Sequence, residues 1–316
     1  MLFCFSASQA FADSTVEFGG LVEVEANAMN DYEENFSSNA ALATVELGVN
    51  AVLKNNVSSE IVVLYENETP LDIDVASITI DNIASLPLSF TAGQFYIPFG
   101  QYDSAMISDP LTLEIGENRA NALQANFDFN QLTGAAYLFK SDTRAGDNIR
   151  SFGVTLNYAY KETNLGVNYI SNIMGTHLLE KVSGSSEISD PIGGVAVYAN
   201  TVISGISVGA EFLTAVDSVS DADLNNPGDD VKPSAYSLEI GSDVSSGHHM
   251  ALGIQGSMKS QAFELPKTRL LAAYAVEINE STSLGFEVAH DIDYSSDDGG
   301  TGKTQNIATV QLATSF

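Results

Sequence analysis

The chain has 316 residues, of which 44% are hydrophobic and 17% charged, and its 41 acidic against 12 basic residues give a formal net charge of −29. This charge excludes a nucleic-acid-binding protein, because phosphates require a basic surface, and the high apolar content excludes a disordered acidic chain. No apolar run reaches the roughly 18 residues of a membrane-spanning helix, and the single cysteine excludes a disulfide framework and a cysteine-built metal site.

The first predicted element is a targeting segment. Leu2–Phe5 form a short apolar stretch, and Ala10-Phe11-Ala12 match the A-x-A pattern of a signal-peptidase site. Residues 1–12 are therefore predicted to be the remnant of a cleaved signal peptide, and residues 13–316 a single folded domain. A short buried strand or helix is the alternative for the same stretch. An exported, acidic chain without a remaining cysteine points to the bacterial envelope.

From residue 14 onward the chain alternates apolar and polar residues with the period of two that predicts β-strands. In the first segment Phe18 and Val24 have one parity, and Glu17, Glu23 and Glu25 have the other. Helical spacing of apolar residues is scarce. Sixteen alternating segments are predicted, at 14–29, 40–54, 57–66, 74–83, 87–97, 119–129, 131–141, 149–161, 164–174, 192–203, 205–217, 233–243, 248–259, 267–279, 282–293 and 304–316.

The connections between these segments alternate between short turns and long polar loops, as in a transmembrane barrel. The longer set comprises 30–39, 67–73, 98–118, 142–148, 175–191, 218–232, 260–266 and 294–303. A water-soluble β-sandwich would also alternate, but the second face carries Gly, Ser, Thr, Asn and Glu and suits water better than a core. The chain also ends on Phe316 after an alternating strand, which resembles an outer-membrane assembly signal.

These patterns predict an all-β fold, a transmembrane antiparallel β-barrel of about 16 strands with short periplasmic turns and long extracellular loops. Lipid supplies no hydrogen bonds to a backbone, so a spanning sheet must close on itself. Sixteen strands leave an aqueous lumen. The predicted location is the bacterial outer membrane, with its lipids and lipopolysaccharide as partners and a homotrimer as a possible assembly by analogy.

The polar parity predicts a negatively charged lumen that favours cations. Its bases are Lys54, Lys140, Lys259 and Arg269. Its acids are Glu17, Glu23, Glu25, Glu46, Glu60, Glu66, Glu211, Glu239, Glu277 and Glu287. The alternative is that each is a solvated lumen residue without a specific ligand.

The third long connection is the most distinctive stretch of the sequence. It is about twenty residues long, carries apolar side chains and begins with a rigid proline next to a permissive glycine. A long loop of this composition packs against the protein, so the segment at about 98–118 is predicted to be a constriction loop inside the lumen, with a loop folded over the rim as the alternative. The predicted constriction residues are Tyr96, Pro98, Phe99, Gly100, Asp103, Asp109, Glu114, Glu117 and Arg119.

The run GQFYIPFGQYDSAMISDPLTLEIGEN, residues 93–118, resembles the corresponding stretch of the LbtU-type siderophore porins. Its Gly93-x₄-Pro98-Phe99-Gly100 part is also similar to phosphate-selective porins of the O/P type. The resemblance implies passive or facilitated uptake of an iron chelate through an outer-membrane pore. A basic ladder for anions is not visible in this sequence, which argues against phosphate as the solute.

Other motifs fail, and they predict no cofactor, no metal site and no catalytic site. The stretch 299–304 lacks the glycine and the helix of a phosphate-binding loop, and the stretch 221–232 lacks the glycine and glutamate of a calcium loop. His290 lies on the outward parity, where a lipid-face hydrolase would keep its base, but such an enzyme also needs a serine and an orienting asparagine. Two alternatives to a channel therefore stay open: a structural or adhesive barrel without transport, and a lipid-face hydrolase.

Overall fold

The computed structural model describes residues 7–11, 14–67, 69–140, 149–175, 191–219 and 231–316. These residues form β-strands almost throughout. The strands are β1 Ala7–Phe11, β2 Ser14–Asn30, β3 Phe36–Leu53, β4 Val57–Glu66, β5 Asp72–Ile80, β6 Leu88–Tyr96, β7 Arg119–Phe129, β8 Leu132–Lys140, β9 Ser151–Tyr160, β10 Thr163–Ile170, β11 Gly194–Ile203, β12 Ile206–Ala215, β13 Ser234–Ser245, β14 His248–Met258, β15 Thr268–Asn279, β16 Thr282–Ile292 and β17 Thr304–Ser315.

Strands β2 to β17 close into a sixteen-stranded antiparallel barrel, as the sequence predicts. Each strand pairs with its neighbour in the chain, and β17 returns to pair with β2. Phe316 completes the seam, because its backbone N–H donates to the Gly20 carbonyl at 3.0 Å and its carbonyl accepts from the Gly20 N–H at 2.9 Å. Closure leaves no unpaired sheet edge at this seam, which is the condition for a sheet in lipid.

Strand β1 lies within the stretch predicted to be a signal peptide. Its backbone pairs antiparallel with the start of β2, from Ala7 opposite Phe18 to Phe11 opposite Ser14. Residues 1–6 and 12–13 lie outside the described residues. Cleavage after residue 12 stays a prediction.

The register shows which parity faces outward. Leu123, Leu138 and Phe152 are cross-strand neighbours on β7, β8 and β9, and their exposed fractions of 39–51% mark them as outer-surface residues. The neighbouring row of Ala122 and Phe139 is buried inside the barrel. An apolar outer surface on a closed barrel of this size is the signature of an outer-membrane protein.

The first long connection is shorter than predicted. The sequence predicts a loop at 30–39, but β2 runs to Asn30 and β3 begins at Phe36. Asp31 organises the turn, because its carboxylate accepts hydrogen bonds from the backbone N–H groups of Glu33 and Asn35 at 2.8 Å each. The hydrogen bond from the backbone of Asn35 is the main cause that lowers the pKa of Asp31, and a second bond from the Asn35 side chain adds to it. The predicted connections 142–148, 175–191 and 218–232 lie largely outside the described residues.

Helical structure is short in the described part of the chain. The one α-helix there, α1, covers Leu111–Gly116, and no helix among these residues is long and apolar enough to cross a membrane. Helix α1 belongs to the connection between β6 and β7, yet it packs against β12, β13 and β14 across the barrel. We call residues 97–118, which contain α1, the inner segment.

Candidate functional site: the barrel interior

The inner segment leaves and re-enters the barrel wall at one point. The N–H of Ile97 donates to the carbonyl of Asn118 at 2.8 Å, which closes the base of the segment. From there the chain reaches the lumen-facing side chains of strands on the far side of the barrel. The segment therefore runs through the interior.

Five polar side chains of the far strands accept hydrogen bonds from backbone N–H groups of the inner segment, and we call them the docking wall. The docking wall consists of Asn168 on β10, Glu211 on β12, Glu239 on β13, Gln255 on β14 and Glu287 on β16. Each of its three glutamates accepts from a backbone N–H and from a hydroxyl of the segment. The donors are Gln101 N (2.6 Å) and Thr112 Oγ1 (2.7 Å) to Glu211, Ala105 N (2.8 Å) and Ser104 Oγ (2.7 Å) to Glu239, and Ile107 N (2.6 Å) and Ser108 Oγ (2.7 Å) to Glu287.

These hydrogen bonds engage both carboxylate oxygens of each glutamate on the docking wall. Glu211, Glu239 and Glu287 were predicted as lumen-lining residues, and they do face the interior. The Oε1 and Oε2 atoms of each are both hydrogen-bonded to the segment. Hydrogen bonds to a charged acceptor are each worth about 1.5–3 kcal/mol, so these glutamates act first as anchors.

An apolar underside also holds the segment in place. The buried side chains of the segment in this cluster are Ile97, Phe99, Leu111 and Ile115. Those of the wall include Phe139, Ile170 and Leu213. Tyr102 packs against this cluster, its hydroxyl donates to the Phe99 carbonyl, and burial raises its pKa. Phe99, predicted as a constriction residue, is thus a packing anchor with only 1% of its surface exposed.

Gly100, beside Phe99, is the glycine of the segment whose backbone conformation other residues rarely adopt. Its φ of 87° lies in the left-handed region, and its N–H donates to Asn168 Oδ1 at 3.1 Å. Pro98, directly before Phe99, fixes the approach of the chain to the wall. Both residues shape the segment.

The opposite side of the segment faces carboxylates on β2, β3 and β4, and we call these the acidic wall. The acidic wall consists of Glu23, Glu25, Glu46, Glu60 and Glu66, all on the lumen parity of the register. The carboxyls of the segment on this side are Asp109, Glu114 and Glu117. Asp103 is exposed elsewhere on the segment and accepts from Gln101 Nε2 at 2.8 Å.

The carboxyls of the acidic wall lie close enough to those of the segment to raise the pKa values of the segment carboxyls. Loss of hydration raises the pKa of Asp109 to about 6, although the residue keeps an exposed surface, and the charges of Glu114, Glu66 and Glu23 add to the shift. Burial likewise raises the pKa of Glu117 to about 7, and among the charges that contribute Asp109 has the largest effect. The passage between segment and wall is lined by acids on both sides.

Tyr96 and Arg119 do not lie at this passage, contrary to prediction. They pair with each other at the ends of β6 and β7, on the face that carries Leu123, which is the outer face. The Tyr96 hydroxyl donates to Asp74 at 2.8 Å, and Arg119 bridges Asp74 at 3.0 Å and Asp72 at 2.9 Å. The regular pairing of β6 with β7 decides their direction.

Of the predicted lumen bases, Lys140 is misplaced and Lys259 stays a prediction. Lys140 is on the same side of β8 as Leu138, which faces outward. Lys259 follows the end of β14 at Met258 with a left-handed φ of 51°, so strand parity does not determine its direction. Arg269 does face the interior, where it forms a two-point ion pair with the fully buried Asp291 at 2.8 and 3.0 Å. Glu17 and Glu277 keep the lumen parity nearer the short turns.

His290 faces the lipid side and has one of the two partners that a hydrolase needs. Its Nδ1 lies 2.8 Å from Oδ1 of Asn306 on β17. The flanking outward positions on β15, β16 and β17 are Thr268, Leu270, Ala272, Val288, Ile292, Thr304 and Ala308, and they include no serine. His177 and the 221–230 part of the calcium-like stretch lie outside the described residues.

Sequence reasoning missed Asn168, Gln255, Thr112 and Asn306. They carry no charge and belong to no motif, so only their partners reveal their roles. The signal that was available is parity, since Asn168 and Gln255 are polar residues on the lumen side of their strands.

Comparisons with known proteins agree with this geometry. No protein-family model matches the chain. A UPF0422 protein of Legionella pneumophila strain Lens is 25% identical over 95% of this chain, and one of Coxiella burnetii is 24% identical over 93%. The chain spans 66% of the length of the Legionella relative and 68% of the Coxiella relative.

Solved porin structures have the same fold. The outer-membrane channel DcaP of Acinetobacter baumannii superposes with a TM-score of 0.69 at 14% identity, covering 98% of this chain and 99% of that one. The anion-selective porin of Comamonas acidovorans gives 0.71 at 13% identity, covering 96% and 100%. A trimer form of OmpT, an outer-membrane protein of Vibrio cholerae, gives 0.62 at 10% identity, covering 96% and 99%. The chain therefore has the fold of the bacterial outer-membrane porins.

Proposed function

We propose that this protein is a passive outer-membrane channel that admits small solutes and prefers cations. The observation that carries the proposal is the passage between the inner segment and the acidic wall, where Asp109 on the segment lies close to wall carboxyls such as Glu66 and Glu23. A negative wall in a narrow aqueous pore concentrates cations and repels anions.

Water in the lumen is the physical reason for a channel in preference to a closed structural barrel. Each acidic-wall residue would be costly to bury without a charged partner or solvent. An aqueous pore keeps such carboxylates hydrated. A structural or adhesive barrel needs no such row of acids inside.

We further propose that the solute is a small iron chelate of the siderophore type, carrying a net positive charge or none. The support is the resemblance of residues 93–118 to the siderophore porins, since that run contains the whole inner segment. The acidic passage restricts the choice, because a strongly anionic chelate would be repelled.

The test is electrical measurement on the purified protein in planar lipid bilayers. We expect discrete conductance steps and a reversal potential in a salt gradient that favours K⁺ over Cl⁻. A series of ferric chelates graded by charge then follows, with current interruptions expected for the cationic and neutral members. The absence of conductance over many insertions, or a preference for Cl⁻, would contradict the channel proposal.

The outer surface supports two proposals about partners. Outer-membrane lipids and lipopolysaccharide are proposed to cover the exposed apolar row exemplified by Leu123 and Leu138. A homotrimer is proposed by analogy with the trimer form of a protein of the same fold. Cross-linking and mass determination in mild detergent test the assembly, and a monomer at all concentrations would contradict it.

A further inference from the structure

A second feature of the lumen lies between the inner segment and the short turns. It is a recess of about 580 Å³, within the usual range for small-molecule pockets. Its wall reaches the short turn between β9 and β10, since Lys161 and Glu162 line it, and it includes His249 near the start of β14. Its roof is formed by residues 101–105 of the inner segment.

The floor of the recess is one row of cross-strand neighbours. Asn164 on β10 pairs with Asn200 on β11, Asn200 pairs with Gly209 on β12, and Gly209 pairs with Glu239 on β13. Gly209 leaves a gap in this row between an amide and a carboxylate. A Cβ atom on Gly209 would lie 2.9 Å from Oδ1 of Asn200. The gap spans two inter-strand spacings, about 10 Å between backbones.

The groups around this gap favour one kind of ligand chemistry. The amides of Asn164 and Asn200 both donate and accept, so they suit hydroxyl groups. The carboxylates of Glu239 and Asp103 only accept, so they suit an ammonium group and repel anions. Glu239 accepts one bond from the segment at each oxygen, and each carboxylate oxygen has room for a further donor.

We propose that this recess binds a small, polyhydroxylated, amine-bearing solute of the size of one sugar ring. The proposal rests on the proposed channel function and deepens it, because it assigns a binding station on the short-turn side of the passage. A ligand arriving from the short-turn side reaches the recess without crossing the acidic passage.

The test uses two probes with the same sugar ring, one with an ammonium group and one in which a neutral acetamido group replaces it. D-glucosamine carries an ammonium group at neutral pH, and N-acetylglucosamine has the same ring without that charge. Each is added to one side of a bilayer containing the full protein, and the interruptions of the single-channel current are counted. We expect glucosamine to interrupt the current at about tenfold lower concentration than N-acetylglucosamine, and from the short-turn side at lower concentration than from the loop side.

Three variants test whether the current interruptions arise from binding in the recess. Gly209→Val fills the gap without a change of charge and is expected to remove the interruptions by both sugars. Asp103→Asn is expected to reduce the preference for glucosamine, because it removes one carboxylate from the roof. Asp81→Asn, in the short turn between β5 and β6, makes the same charge change outside the recess and is expected to leave the interruptions unchanged.

The possible outcomes separate this proposal from the channel proposal. A conducting channel that neither sugar interrupts, or equal interruption in the Gly209→Val variant, would overturn the recess while leaving the channel intact. If the protein does not conduct, the channel proposal fails, and titration calorimetry of the purified barrel with both sugars decides the recess separately. Heat released by glucosamine in the unaltered barrel but not in Gly209→Val would then support it, and no heat in either would overturn it.

Discussion

The docking wall and the acidic wall contain the same type of side chain on the same parity, yet their surroundings differ. On the docking wall Glu211, Glu239 and Glu287 each give both oxygens to the inner segment. On the acidic wall Glu23 and Glu66 face carboxyls of that segment across the passage. A glutamate in a barrel lumen is therefore either an anchor or part of the conduction path, and its partners decide which.

The largest expected effect comes from breaking the docking wall. The triple variant Glu211→Gln, Glu239→Gln, Glu287→Gln replaces one acceptor oxygen of each residue with an N–H₂ group that meets a donor of the segment. Each lost bond costs about 1.5–3 kcal/mol, so the segment should detach from the wall. We expect a higher and strongly fluctuating single-channel conductance, with the barrel itself checked by its heat-dependent gel migration.

A folded triple variant with the steady conductance of the unaltered protein would show that the apolar underside alone holds the segment. That result would mean that the hydrogen bonds of the docking wall contribute little to the free energy that holds the segment in place. It would leave the geometry of the segment unchanged.

The matched experiment on the acidic wall should change selectivity and leave the conductance steady. The variant Glu23→Gln, Glu25→Gln, Glu66→Gln also removes three negative charges, but these lie along the passage. One charge at close range in water is worth about 1 kcal/mol, or about fivefold, so with three charges removed the permeability ratio of K⁺ to Cl⁻ should fall by at least about fivefold. Reversal potentials measure it, and an equal fall in the docking-wall variant would contradict the assignment of roles.

The pH dependence of selectivity sharpens the comparison further. Asp109 and Glu117 have pKa values raised to about 6 and about 7, so both are largely ionised at about pH 8 and largely neutral at about pH 5. Cation preference should therefore decline as the pH falls through this window. In the variant Asp109→Asn, Glu117→Gln the reversal potential should change less steeply over the same range, and a slope as steep as in the unaltered protein would assign the titration elsewhere.

The smallest effect is expected on the outer face. His290→Ala removes one exposed hydrogen bond to Asn306, so the free energy of unfolding should change by less than about 1 kcal/mol. Conductance and selectivity should stay as in the unaltered protein. Phospholipid hydrolysis is assayed in parallel, and an activity that depends on His290 would revive the lipid-face hydrolase.

The alternation of residues predicts side-chain direction well in the middle of strands and less well where a strand meets a loop. It predicts the inward direction of Glu46 and Glu60 in the middle of the wall, where pairing is regular. Tyr96 and Arg119 are predicted at the constriction because they flank the loop, whereas their register places them outward, and Lys140 lies on the outward side of β8 with Leu138. Which side of a strand faces the lumen next to a loop depends on its pairing with the neighbouring strands, and the sequence at the strand end does not record it.

The sequence by itself determined the barrel, because lipid on one side and water on the other impose a period of two on every strand, and a local pattern records it. It also marked the inner segment, because apolar residues in a long connection need a surface to cover. Only the tertiary structure decided which wall that segment occupies and which glutamates it ties, since those partners are separated by up to 180 residues. Contacts between distant residues depend on where closure brings the strands together, and no local pattern contains that information.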